Sequence, residues 1–85
     1  MNDAGISVYP NPAHDKLTVS IYVKDQAQFQ LYLRDMSGRM VLSESSEAMP
    51  GTNSYELNLN SFAKGVYMLE VQSGGNSHKT KVVIE

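Results

Sequence analysis

Apolar and polar residues alternate along most of this chain, and a two-residue period is the period of β-strands. Strong alternation covers residues 17–23, 29–34, 55–60, 67–72 and 80–85, and weaker runs cover residues 6–9 and 39–43. No stretch shows the spacing of apolar positions that an amphipathic helix requires. The pattern therefore predicts about seven short strands.

The segments between these runs contain residues that favour turns. Residues 9–12 include two prolines, which lack an N–H and cannot continue a central strand. Residues 35–38 fit a type I turn with glycine in the left-handed position, which predicts a tight hairpin. Residues 49–52 place proline and glycine as a type II turn requires, and residues 73–76 predict a second hairpin turn. Residues 61–64 predict a corner.

Strands that are apolar on one face only must bury that face against a second sheet. Short strands with turns at intervals of about 8–12 residues therefore predict an all-β fold, an antiparallel β-sandwich. We expect one domain over residues 6–85, a linker remnant at residues 1–5 and a polar loop at residues 43–47. The predicted core consists of Val8, Leu17, Val19, Ile21, Phe29, Leu31, Leu33, Tyr55, Leu57, Leu59, Phe62, Tyr67, Leu69, Val71, Val82 and Ile84.

Length, charge and composition exclude several classes of protein. The chain has 85 residues and a mass of 9.4 kDa, which suits one domain. Seven basic against nine acidic residues give a net charge of −2, which argues against nucleic acid as a partner. The lack of cysteine excludes disulfides and thiolate zinc sites. The first five residues lack signal-peptide features, so we expect a segment outside this sequence to direct passage through the inner membrane.

The side chains that could catalyse a reaction or bind a metal do not have the spacing of a catalytic or metal-binding motif. His14 and His78 are expected at the surface, and no third metal ligand lies at a suitable spacing. Asp15, Asp25 and Asp35 fall in separate loops, where capping of turns is favoured over a calcium site. No pair of glutamates stands out for glycoside cleavage. We therefore expect no enzymatic activity, no cofactor and no metal.

Two exposed tyrosines and one hairpin are the remaining binding signals. Tyr22 and Tyr32 fall on polar strand faces, where they could stack on a sugar or peptide. Cross-strand packing of the two rings on an outer sheet face is the commoner arrangement. In the hairpin we expect Asp35 to accept turn N–H groups, Gly38 to supply a positive φ and Arg39 to pair with Asp35. These structural roles leave recognition of the same hairpin by a receptor open.

Four motifs follow one another along the chain. Residues 9–12 (YPNP) and 15–19 (DKLTV) form the first, and residues 31–41 (LYLRDMSGRMV) form the second. Residues 65–71 (GVYMLEV) form the third, and residues 79–85 (KTKVVIE) form a basic-then-apolar fourth. Each is weak alone. In this order, over nearly the whole chain, they resemble the type A C-terminal sorting domain of substrates of the type IX (Por) secretion system of Bacteroidetes.

The resemblance implies that the domain is a sorting signal and has no enzymatic activity. In this family the domain is an Ig-like β-sandwich at the C-terminus of a larger cargo protein, and the type IX outer-membrane machinery recognises it in the periplasm. A sortase-like peptidase usually removes it, which places cleavage upstream of Ile6, and the cargo is anchored at the cell surface or released. The residues that we assign to the family motifs and to sorting recognition are Pro10, Asn11, Pro12, Asp35, Gly38, Arg39, Gly65, Tyr67, Lys79 and Lys81.

The terminal hairpin, residues 65–85, is the segment that we expect the receptor to bind. Its last strand carries Lys79 and Lys81 and could accept a partner strand at its edge, including a strand of a second copy. Two alternatives stay open. One is an adhesion or carbohydrate-binding module that uses the two exposed tyrosines. The other is a structural spacer of the fibronectin type III kind, which more protein would follow, whereas we expect this chain to end at Glu85.

Overall fold

Two β-sheets make up the computed structural model, which describes residues 5–73 and 75–85. Over these residues the chain forms seven strands and no helix, which confirms the all-β prediction. The strands are β1 (Ile6–Tyr9), β2 (Lys16–Val23), β3 (Ala27–Asp35), β4 (Met40–Ala48), β5 (Gly51–Asn58), β6 (Gly65–Ser73) and β7 (Asn76–Ile84). A helix of the length and hydropathy needed to span a membrane does not occur in the described part of the chain.

The strands divide between a three-stranded sheet in the order β1-β2-β5 and a four-stranded sheet in the order β4-β3-β6-β7. All neighbouring strands run antiparallel. Hairpins join β3 to β4 and β6 to β7, and the chain changes sheets after β2, β4 and β5. In the predicted turn at residues 73–76, Ser73 pairs with Asn76, and Gly74 lies outside the described residues. The topology is consistent with the expected Ig-like β-sandwich.

The core lies between the two sheets and contains the inward faces that the alternation predicts. Along β3, for example, Phe29, Leu31 and Leu33 are buried, whereas Gln28 and Gln30 between them are exposed. Three predicted core residues are only partly buried and pack against its margin: Val8, Tyr55 and Phe62. Two residues absent from the prediction are fully buried: Ala13 and Ala48.

Strand β4 differs most from the prediction, because residues 43–47, expected as a polar loop, belong to it. Glu44 lies opposite Leu31 and therefore faces the same side of the sheet as the core, yet it is exposed. We attribute this to β4 being the edge strand of the larger sheet, beyond the cover of the three-stranded sheet. An inward-pointing charge on an edge strand also opposes pairing with another chain.

Candidate functional site

Residues 10–15 leave the three-stranded sheet and cross to the outer edge of β7 in the four-stranded sheet. The peptide bonds Tyr9-Pro10 and Asn11-Pro12 are cis. Asn11 contacts β7 as a neighbouring strand would. Its Nδ2 donates to the carbonyl oxygen of Lys81 at 2.9 Å, and its Oδ1 accepts from the N–H of Val83 at 3.1 Å. The motif asparagine therefore joins the first motif to the last.

Ala13 continues this contact through its backbone. Its N–H donates to the carbonyl oxygen of Val83 at 2.8 Å, and its own carbonyl accepts from the N–H of Glu85 at 2.8 Å. We call residues 11–13 the clasp. The clasp covers the outer edge of β7 and the residue after it, from Lys81 to Glu85. Before Lys81 the edge has no partner strand among the described residues.

Replacing Asn11 by alanine is expected to lower the free energy of unfolding by about 2 kcal/mol, because it removes two hydrogen bonds worth about 1 kcal/mol each. Asn11→Asp keeps the acceptor for Val83 but sets a carboxylate oxygen against the Lys81 carbonyl, so the loss should be at least as large. The midpoint of urea unfolding measures both. The exposed Asn60→Ala is the matched control, and a midpoint equal for Asn11→Ala and this control contradicts the role of the clasp.

The turn between β3 and β4 is ordered around the Asp35 carboxylate. Oδ1 accepts hydrogen bonds from the N–H of Ser37 at 3.0 Å, the hydroxyl of Ser37 at 2.6 Å and the N–H of Arg39 at 3.0 Å. Oδ2 lies 3.3 Å from Nε of Arg39. The Ser37 hydroxyl is the main cause that lowers the pKa of Asp35. Gly38 has a φ of +91°, which favours glycine. The structural roles predicted for this hairpin are confirmed.

The third motif begins with strand β6, and Tyr67 stabilises the corner that precedes this strand. The Tyr67 hydroxyl donates to the carbonyl oxygen of Ala63 at 2.6 Å, and its ring lies 6.3 Å from the ring of Phe62. This arrangement resembles the tyrosine corner of Ig-like sandwiches. A Cβ added at Gly65 would lie 3.9 Å from the Tyr67 ring, an ordinary contact, so space does not require glycine here. Its φ of +156° is the feature that favours glycine.

A buried carboxylate lies on the outer face of the four-stranded sheet. Oε1 of Glu70 accepts from Nη1 of Arg34 at 2.8 Å, and Oε2 accepts from Nε2 of Gln72 at 2.9 Å. The bonds from Gln72 and then Arg34 lower the pKa of Glu70. The Arg34 guanidinium also lies over the Tyr32 ring, 5.6 Å from its centroid, and the Tyr32 hydroxyl donates to Gln30. These contacts fix Arg34 on the sheet surface.

The strand register brings the four motifs to one end of the four-stranded sheet. Asp35 pairs with Tyr67, and Tyr67 pairs with Val82, so parts of the last three motifs share one row. The clasp of the first motif joins this row at the edge of β7. Lys81 lies in the adjoining row, Lys79 lies two rows beyond Lys81, and both are exposed. We call this region the motif end.

Other candidate side chains do not converge on a site. His14 is exposed as predicted, but His78 is partly buried, because it faces the core side of β7 opposite Val71. Tyr22 belongs to the three-stranded sheet and Tyr32 to the four-stranded one, so the predicted pairing of their rings on one face is wrong. They form no common stacking platform. In residues 5–73 and 75–85 no cluster of three or more potential metal ligands occurs.

The sequence interpretation missed two residues of the motif end and its surroundings. Ala13 lies in a proline-rich turn, where a single small residue carries no pattern, and its burial depends on the crossing to β7. Arg34 stands at an outward position of β3, and its partner Glu70 is 36 residues away. The opposite charges at outward positions of two strands were the available signal, but the pairing of those strands was not known.

The fold defines this protein as a small Ig-like β-sandwich domain. The family described as "Secretion system C-terminal sorting domain" matches residues 7–85, so the chain belongs to that family. The family is a C-terminal sorting signal for type IX secretion, whose substrates reach the cell surface or are secreted. It is a signal domain and not a catalytic one. The alternative of an adhesion module is not supported.

Solved structures with a similar fold include parts of larger enzymes. A β-glucosidase from Listeria innocua in complex with isofagomine matches 93% of this chain and 16% of its own, with 16% identity and a TM-score of 0.59. The β-glucosidase EmGH1 from Erythrobacter marinus matches 96% of this chain and 15% of its own, with 18% identity and a TM-score of 0.60. This chain spans a small part of each enzyme, and the likeness shows the fold alone. Curated proteins gave no match.

Proposed function

We propose that the type IX outer-membrane machinery reads this domain in the periplasm through the motif end. The observation that carries the proposal is the gathering of four separate motifs at one end of one sheet, where Asn11 and Val83 bond across a sequence separation of 72. Motif residues that contact one another across long sequence separations are brought together only when the chain folds. Such an arrangement suits a sorting signal that the machinery recognises in the folded state. The cargo protein would carry the domain to the machinery.

The domain would occupy residues 6–85, after a linker at residues 1–5 that joins it to the cargo. Strand β1 begins at Ile6, and the carbonyl of Gly5 accepts a hydrogen bond from the N–H of Tyr22 at 2.7 Å, which supports a boundary close to this point. Residues 1–4 lie outside the described part of the chain. A sortase-like peptidase would cut upstream of Ile6, and the cargo would be anchored at the surface or released.

The ten residues that we assign to sorting divide into a group that shapes the motif end and a group that offers charge. The shaping group is Pro10, Asn11, Pro12, Asp35, Gly38, Gly65 and Tyr67. The exposed charged group is Arg39, Lys79 and Lys81. We assign direct contact with the receptor to the second group, because an exposed charge is available to a partner without unfolding.

The part of β7 before Lys81 is where a partner strand could add to the sheet. Lys79 lies in this stretch, and Lys81 borders it. Two copies joined antiparallel along this edge would bring lysines close to one another, and like charges opposite each other are destabilising. A strand of the receptor therefore fits this edge better than a second copy does.

A reporter directed to the periplasm and fused ahead of residues 1–85 tests the proposed function. In a host with an active type IX system we expect the reporter at the cell surface or in the medium. In the same host without that system we expect it to stay in the periplasm. Retention in the periplasm of the competent host overturns the proposal, provided that the domain resists proteolysis there and is therefore folded.

A further inference from the structure

A row of four side chains crosses the outer face of the four-stranded sheet at the motif end. The register pairs Met40 with Arg34, Arg34 with Met68, and Met68 with Lys81. Neighbouring strands lie about 4.8 Å apart, so methionine and cation alternate over about 14 Å. We call this row, together with Met36 of the adjoining turn and Lys79, the methionine–cation face.

This face differs from the same sheet further from the motif end. The row at Gln30, four positions from Arg34 along β3, is polar and uncharged: Ser45, Gln30, Gln72 and Ser77. By contrast, Met40 is 43% exposed, Met68 is 41% exposed and Met36 is 75% exposed. Single exposed apolar residues need no explanation. Three flexible methionines at one end of a sheet are typical of an adaptable binding surface.

Positive charge is concentrated at the same place. Five of the seven basic residues of the chain lie at this end of the sheet, in its turn or next to its strand ends, against three of the nine acidic residues. The five are Arg34, Arg39, Lys64, Lys79 and Lys81. Of the three carboxylates, Asp35 is engaged by its own turn and Glu70 by hydrogen bonds on the sheet, and Glu85 directly follows β7. A chain with a net charge of −2 thus has one surface of the opposite sign.

The cations of this face are suited to bind carboxylates. Arg34 is held by its ion pair with Glu70 at 2.8 Å and by the Tyr32 ring, so little conformational entropy is left to lose on binding. Lys79 and Lys81 are exposed and form no ion pair within the described part of the chain. The methionines between and beside these charges would contact apolar side chains of the same partner.

We propose that the methionine–cation face docks onto a segment of the type IX receptor in which carboxylates alternate with apolar side chains, an inference that rests on the proposed function. Charge complementarity selects this occupant. A second copy of the domain would present the same cations and be repelled. Lys79 lies opposite Glu70, but an uncharged partner would leave Lys81 without a counter-charge.

Export of the reporter fusion tests each half of the face separately. Lys79→Glu with Lys81→Glu reverses the charge, and Met40→Gln with Met68→Gln removes the apolar surface. Each pair is expected to reduce export about tenfold, which corresponds to about 1.4 kcal/mol of lost binding. Deleting residues 79–85 is a poorer test, because it removes two core side chains together with the lysines.

Matched controls lie away from this face. Lys24 is exposed directly after β2, and Met49 is 54% exposed before β5. Lys24→Glu, and Met49→Gln, should leave export within about twofold of the unchanged fusion. Protease resistance in the periplasm verifies the fold of every variant. If the unchanged fusion is exported and folded face variants are exported equally well, this inference fails together with the assignment of receptor contact to Lys79 and Lys81, while the role of the domain as an export signal stands.

A photoreactive amino acid at position 68 identifies the occupant. In the exporting host we expect a cross-link to a segment of a type IX outer-membrane component, with several carboxylates near the cross-linked residue, and no such cross-link from position 49. A cross-link to a basic or uncharged segment overturns the stated chemistry. A cross-link to a second copy of the domain, or the same cross-link from both positions, also overturns it.

Discussion

Replacing Phe29 by alanine is expected to lower the free energy of unfolding by about 4 kcal/mol, because truncation of a buried aromatic side chain costs about 3–5 kcal/mol. Phe29 is 1% exposed on β3, and its ring packs edge-on against Tyr55 of β5, with centroids 4.9 Å apart. This contact joins the two sheets. Since native domains are stable by about 5–15 kcal/mol, a loss of this size removes between about a quarter and four fifths of the free energy of unfolding.

Urea unfolding followed by circular dichroism measures this effect. Phe29→Leu keeps much of the apolar volume and should lose less, about 1.5 kcal/mol, which keeps the test informative if the alanine variant does not fold. The exposed neighbour Gln28→Ala controls for the strand itself and should change stability by about 0.5 kcal/mol or less. A folded alanine variant with a midpoint and slope like those of the Gln28 variant would show that the two sheets are not held together here.

The fold was predictable wherever a strand has one buried and one exposed face. Phe29 and its neighbours on β3 alternate because the core covers one side of that strand along its length. The same rule failed for β4, where Glu44 points to the core side but lies at an uncovered edge. It also missed Ala48, because a small residue at a strand end carries little pattern. Apolar and polar residues alternate along a strand when a second sheet covers one of its faces. An edge strand that extends beyond the second sheet lacks this cover, so the rule fails there.

The motifs that form the candidate site were predictable from the sequence, but their location in the fold was not. Alternation assigns Tyr22 and Tyr32 to outward positions, yet it does not say which sheet each strand joins, and the two lie on different sheets. The gathering of the motifs depends on β3, β6 and β7 being neighbours, which is a long-range property. The roles of Asp35 and Arg39 were predictable, because the contacts of a tight turn are local.

Tyr67→Ala is expected to lower the free energy of unfolding by about 4 kcal/mol, through loss of a buried ring at the corner. Tyr67 is 7% exposed, and its hydroxyl bonds to the carbonyl of Ala63. Tyr67→Phe keeps the ring and should lose about 1 kcal/mol, the value of one net hydrogen bond. Urea unfolding of both variants separates the contribution of the ring from that of the hydroxyl.

Export of the same variants shows whether Tyr67 stabilises the fold or contacts the receptor. A buried side chain offers a receptor no surface, so export should follow stability: the phenylalanine variant is exported normally at a temperature where it is folded, and the alanine variant is retained as it unfolds. Met68→Ser, on the neighbouring exposed position, should instead reduce export without a matching loss of stability. If Tyr67→Phe is fully folded and still retained, the hydroxyl takes part in recognition, and the division between shaping and contacting residues fails at this position.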